Sequence, residues 1–196
     1  LIGTYGFDWQ TSETLTYSAT VTRGRVEDPV NGDSQRLALG FGVAYDSETR
    51  SAAARLEFRR DEAVGGAPAQ TDTVAFNGNA RWKIDDDQRF YFNFVASNTE
   101  TDTASLLGGT YIDTSLSYAL RPTENERVNI LASVRYLKDD FGQELDGVVG
   151  DGPVQESLVF NLEGNYDLNP QWTLGAKIGA RSTTSAQTRG GPGTSN

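Results

Sequence analysis

The sequence predicts an all-β fold, an antiparallel up-and-down sheet, and three observations carry that reading. Apolar residues recur with period two down the whole chain, the connections between these runs alternate between short and long, and aromatic residues gather beside the short ones. Period two puts one chemistry on each face of a strand. No stretch keeps apolar residues at i, i+3, i+4 and i+7 for long enough to make a helix.

Taken in order, the first strand carries Tyr5, Phe7 and Trp9, and the second, "LTYSATV", sets Leu15, Tyr17, Ala19 and Val21 against Thr16, Ser18 and Thr20. The third, "RLALGFGVAY", sets Leu37, Leu39, Phe41, Val43 and Tyr45 against Ala38, Gly40, Gly42 and Ala44. The alternation continues through Ala52, Ala54, Leu56 and Phe58, then Val74, Phe76, Gly78, Ala80 and Trp82, then Phe90, Phe92, Phe94 and Ala96. Four more strands carry Ile112, Thr114, Leu116, Tyr118 and Leu120; Val128, Ile130, Ala132, Val134 and Tyr136; Leu158, Phe160, Leu162, Gly164 and Tyr166; and Trp172, Leu174, Ala176, Ile178 and Ala180. This predicts about ten strands of roughly nine to twelve residues, longer than strands of soluble sheets and close to the length a tilted strand needs to cross a bilayer. Short polar turns at 11–14, 46–50, 85–88, 122–126 and 169–171 alternate strictly with the longer "EDPVNGDSQ", "DEAVGGAPAQTD", "TETDTASLLGG" and "DDFGQELDGVVGDGP". All tight turns therefore lie on one edge of the sheet.

The two faces differ sharply in chemistry. Thr114 is the only polar member of the apolar set, and no charge falls in it. The opposite parity carries Asp8, Arg55, Glu57, Arg59, Arg81, Lys83, Asp113, Arg135, Glu163, Asp167, Lys177 and Arg181 among Asn, Gly, Ser, Thr and Ala. Arg23 and Arg25 fall on the apolar parity at the long-loop end of their strand, where an arginine can reach headgroups. On the apolar face Trp9, Tyr45, Trp82, Phe90, Tyr118, Tyr166 and Trp172 all lie within about four residues of a short turn, a row at one height of the kind found at membrane interfaces. A soluble barrel or sandwich would use these rings as a core, and would then leave Ala38, Gly40, Gly42 and Ala44 as the solvent face of a strand. The pattern favours an antiparallel up-and-down transmembrane β-barrel, with the charged set lining the lumen and the aromatic row forming a girdle.

Short turns on one side and long loops on the other, a clean outward face and an aromatic row together resemble the bacterial outer-membrane β-barrel class. The resemblance covers nearly the whole chain, rests on architecture and carries no signature string. More distantly, the chain resembles the barrel portion of large surface proteins with further domains. It implies a single barrel domain over 1–196 in the outer membrane of a Gram-negative bacterium, with membrane lipid and lipopolysaccharide as its surroundings. Such barrels usually begin and finish on the periplasmic side, whereas both ends of this chain fall on the long-loop side, with 186–196 as an extracellular loop. The expectation is a fragment, lacking at least one strand before Leu1 and one after Asn196, of a barrel of twelve or more strands.

Composition narrows the functions. His, Cys and Met all number zero, which removes imidazole bases, thiolate nucleophiles and cysteine-rich metal sites. A net charge of −10 argues against nucleic acid as a partner. There is no run of about eighteen apolar residues that would make a transmembrane helix. No Gly-x-Ser-x-Gly elbow or Ser-x-x-Lys string occurs, and "GFGVAY" lacks the third glycine of a dinucleotide fingerprint. Neither an enzyme, a resident metal nor a cofactor is expected. The acidic residues Asp139, Asp140, Glu144, Asp146 and Asp151 match no EF-hand spacing and read as a solvated loop before they read as a cation site.

Register follows from keeping apolar opposite apolar. Around "NPQ" this sets Glu163 opposite Lys177 and Asn161 opposite Gly179. Around "DSETR" it sets Gly40 against Glu57, Gly42 against Arg55 and Ala38 against Arg59, so that guanidiniums lie over a glycine-lined strand. Gly78 faces Phe94, an aromatic covering a strand glycine. The leading functional expectation is a porin-like passive channel for small polar solutes, with the lumen charges setting selectivity. The alternative is a structural anchor that holds a surface or envelope-spanning domain without conducting. A third reading, a soluble barrel binding an apolar ligand among the rings, requires the chain to stay in solution without detergent.

Overall fold

A computed structural model describes residues 1–27, 33–64, 69–102, 108–125, 127–141, 143–145, 148–150, 154–186 and 194–195. Ten long strands follow one another up and down: β1 (Ile2–Gln10), β2 (Leu15–Val26), β3 (Ser34–Asp46), β4 (Arg50–Ala63), β5 (Gln70–Lys83), β6 (Gln88–Thr101), β7 (Gly109–Leu120), β8 (Val128–Phe141), β11 (Val154–Asn169) and β12 (Trp172–Ala186). A small ribbon, β9 (Gln143–Leu145) with β10 (Val148–Gly150), rises between β8 and β11, and β13 (Thr194–Ser195) pairs with the end of β12. Each long strand is hydrogen-bonded antiparallel to its sequence neighbours, in the order β1 to β8, β11, β12, β13. Among the described residues there is no helix, and the sheet is not closed: β1 is one end, and β12 with the short β13 is the other.

The tight turns are built by short polar side chains that satisfy backbone groups the ladder leaves free. Ser47 Oγ donates to the Arg50 carbonyl at 3.0 Å and accepts from its N–H at 3.2 Å. Asp85 accepts the Asp87 N–H at 2.9 Å, and Asn169 accepts that of Gln171 at 3.0 Å. Asp87 in turn accepts the Thr123 N–H at 2.6 Å, tying the β5–β6 turn to the β7–β8 turn on the same edge.

The strands run further toward the long-loop edge than the apolar alternation does. β4 continues to Ala63 and β5 begins at Gln70, inside the segment read as a loop. Polar residues on both parities hide the period there, yet cross-strand pairs hold the ladder. Arg36 grips Asp61 through Nε and Nη2 at 2.7 and 3.2 Å, and Arg60 grips Asp72 at 2.8 and 3.1 Å.

Among the described residues no layer packs on this sheet. Among the described residues Ala38 is the one buried apolar side chain, and no large side chain is fully buried. Phe7 is 67% exposed and Trp172 69%. Burial instead favours the polar face, where Ala38, Thr73 and Ser157 lie beneath longer side chains.

Candidate functional site

The register places every residue of the charged set on one face. Following partners across the sheet, Arg55, Glu57 and Arg59 of β4, Arg81 and Lys83 of β5, Asp113 of β7, Arg135 of β8, Glu163 of β11, and Lys177 and Arg181 of β12 share it, together with Asp8 of β1. The aromatic row of Trp9, Tyr45, Trp82, Phe90, Tyr118, Tyr166 and Trp172 lies on the other. The registers expected around the two turns are those observed, Gly40 against Glu57 and Glu163 against Lys177 included.

On the polar face small residues make room for long ones. A Cβ on Gly40 would meet the Arg55 guanidinium and the Thr20 hydroxyl. The bare glycine lets Arg55 cross β3 and donate from Nη2 to Thr20 Oγ1 on β2 at 2.8 Å. Arg59 reaches Thr73 Oγ1 at 3.4 Å, and its Nε lies 3.3 Å from Asp61 Oδ2. Arg135 holds Asp113 through two nitrogens at 2.8 and 2.6 Å. Lys177 stands 3.8 Å from Glu163, and Arg181 binds the hydroxyls of Thr183 and Ser157. Arg81 faces Ser51 and Tyr91 across its two ladders, and Lys83 pairs with Asp86 in the adjoining turn.

The apolar band has its one non-aromatic polar side chain satisfied. That residue, Thr114, donates its hydroxyl to the Asn93 carbonyl at 3.2 Å. In the aromatic row the rings of Phe90 and Tyr118 stand 5.0 Å apart, and Tyr118 donates its hydroxyl to Gln88 at 2.8 Å. Trp9 neighbours Tyr17 at 6.3 Å, and the Arg50 guanidinium lies 5.3 Å from the Trp82 ring. The ring over Gly78 is Phe76, at 3.4 Å from the Cβ position; Phe94 is the residue opposite, its ring tilted at 60° to that of Phe76 with centroids 5.5 Å apart.

Beyond the apolar band, at the long-loop edge, the same face turns ionic. Arg60–Asp72 and Lys138–Glu156, at 2.8 and 3.7 Å, join Arg23 and Arg25 there, and Arg25 is paired with Asp33. The sequence reading found Arg23 and Arg25 but not the two pairs. Extending the apolar parity two residues past Phe58 and Tyr136 reaches Arg60 and Lys138.

The stagger of the ladders has a definite size. Stepping from Trp9 through Tyr17, Val43, Ala54, Gly78, Phe94, Thr114, Tyr136 and Leu158 leads to Ser182, ten residues from Trp172, the aromatic beside β12's own turn. Ten residues of rise over nine strand spacings inclines the strands by about 38° to the normal of the aromatic row. Along β5 the band from Val74 to Trp82 then stands roughly 21 Å high.

Among the described residues no group of three or more Asp or Glu is placed to hold a metal ion. Of the acidic residues singled out in the sequence, Asp139 and Asp140 lie in β8 and Glu144 in β9, while Asp146 and Asp151 fall outside the described residues. Neither a protein-family model nor a curated protein matches the chain.

Proposed function

We propose that this chain forms the wall of a transmembrane β-barrel of the outer-membrane type, a porin-like passive channel for small polar solutes in the envelope of a Gram-negative bacterium. The observation that carries the reading is the apolar face: uncharged, largely exposed, with its single threonine hydroxyl satisfied internally, and bounded by aromatics on one side and ion pairs on the other. A hydrocarbon slab imposes those conditions, since it tolerates neither a free donor nor an unpaired charge. Water would gain nothing from them. The inclination of about 38° falls within the 35–45° of membrane barrels, and the band approaches the ~25 Å height of their apolar belts. Outer-membrane lipid and lipopolysaccharide are the partners this face would meet.

The polar face suits a lumen, because charges of both signs stand partly exposed along it; the side chain of Arg135 is 56% exposed and that of Lys177 is 66%. One observation favours the second reading, a non-conducting anchor: Arg36–Asp61, Arg135–Asp113 and Lys177–Glu163 satisfy one another, as in a plugged interior. A planar-bilayer recording on the full-length protein separates the two. Stepwise conductance is the result expected of the channel, and a silent barrel that stays folded in detergent gives the anchor.

A further inference from the structure

The arginines of the polar face divide by height. Those set back from the turn edge are engaged: Arg36 with Asp61, Arg55 with Thr20, Arg59 with Thr73, Arg135 with Asp113 and Arg181 with Thr183. Toward the turn edge Arg89, Arg121 and Arg127 make no side-chain hydrogen bond or ion pair with any described residue. They are not scattered. Arg89 and Arg121 line a recess of about 370 Å³ together with Tyr91, Asp86 and Asp87, and Arg121 and Arg127 line an adjoining one of about 400 Å³ together with Asp167; Asn129 belongs to both, and Asn165 to the second.

The described carboxylates that line the two recesses, Asp86, Asp87 and Asp167, are bonded elsewhere, and Glu124, in the turn between Arg121 and Arg127, lines neither. Asp86 holds Lys83, the cation directly opposite Arg89 on the ladder. Asp85 and Asp87 accept hydrogen bonds that build the turns, and Asp167 accepts one from Thr173. Three guanidiniums at one rim, facing two adjoining recesses with no described carboxylate bonded to any of them, form an arrangement that attracts an anion. Each can offer a planar fork of two N–H donors, which matches phosphate oxygens. The Tyr91 hydroxyl and the carboxamides of Asn129 and Asn165 add neutral donors beside them.

We infer that the turn-side rim of the polar face is a binding site for small phosphate-bearing solutes, held by Arg89, Arg121 and Arg127. The inference rests on the channel reading for its biological sense, since it gives a channel wall of net-acidic sequence a local preference for anions, but its geometry stands apart from conduction. Titration calorimetry of inorganic pyrophosphate into the full-length protein refolded in detergent tests it. Saturable binding is expected, weakened tenfold or more in the triple variant R89Q/R121Q/R127Q and changed less than twofold by R181Q on the same face. All three positions are exposed, and heat-modifiable migration on gels shows that the variant is folded. No saturable binding to the wild type, or binding unchanged in the triple variant, overturns the site. A protein that is silent in bilayers yet binds pyrophosphate in this pattern removes the channel and keeps the site; one that conducts without such binding does the reverse.

Discussion

Gly40 shows how a single residue sets the chemistry of its neighbours. The strand conformation there suits any residue, so what the glycine supplies is space: without a Cβ, Arg55 can lie across β3 and reach Thr20. Gly40→Ala pushes the guanidinium off and is expected to cost about 1 kcal/mol, the net worth of one hydrogen bond. Urea unfolding from detergent measures it, and the cost should shrink in an Arg55→Ala background. The same facing of small and large residues was legible in "LGFGVAY" against "RLEFRR" once the register was guessed, whereas the crossing to β2 was not, because it spans three strands. A second single-residue effect sits in the β5–β6 turn. Lys83, through its hydrogen bond and its charge, and Arg89 more weakly, hold the Asp86 carboxyl below the ordinary aspartate range. A depressed carboxylate contributes stability above its unfolded pKa and loses it as pH falls through the folded one. The Asp86 midpoint, followed by carboxyl-carbon NMR, should therefore lie on the acid side of 3.8 and rise in Lys83→Met; an unmoved midpoint contradicts the pairing.

At the scale of the strand, alternation was enough to find all ten long elements and the face of each residue, since a half-apolar strand writes its period into the sequence. The ends were harder to read. β4 and β5 continue past the apolar band on ion pairs, and a pattern built on greasy residues stops where the ladder does not. Register was recoverable at the turns between β3 and β4 and between β11 and β12, and for Gly78 opposite Phe94. Glu163 and Lys177, directly opposite and both partly exposed, should show a coupling of about 0.2–1 kcal/mol in a double-mutant cycle, as cross-strand charge pairs do. The pair Glu163 and Arg181, four residues further along β12, should show none. The unengaged arginines at the turn edge were missed for a different reason. Arg121 and Arg127 flank a turn rather than belong to an apolar run, so alternation passed over them, and only the facing of β6, β7 and β8 brings them beside Arg89.

At the largest scale the governing fact is a sheet that has no core among its described residues. Apolar area normally leaves water on folding, and here it does not: rings such as Phe41 and Phe160 remain 52% and 43% exposed. In the proposed barrel, lipid would resolve that imbalance. A charge on the outward face should then be costly according to its depth, and Phe92→Arg, in the middle of the band, is expected to destabilise the protein in vesicles by about 2–4 kcal/mol, with Asn93→Arg on the polar face changing stability by less than about 1 kcal/mol. Urea titration of the two variants in the same lipid compares them directly.

The measurement that bears most directly on the account is a nitroxide scan along β5 in lipid vesicles. The chain contains no cysteine, so each introduced label stands alone. Labels at Val74, Phe76 and Ala80 should collide with oxygen dissolved in the bilayer, and those at Ala75, Asn77 and Asn79 with a water-soluble nickel chelate, in strict alternation. Labels at the first three positions that are shielded from both reagents, as in a protein core, or the absence of alternation, would contradict it.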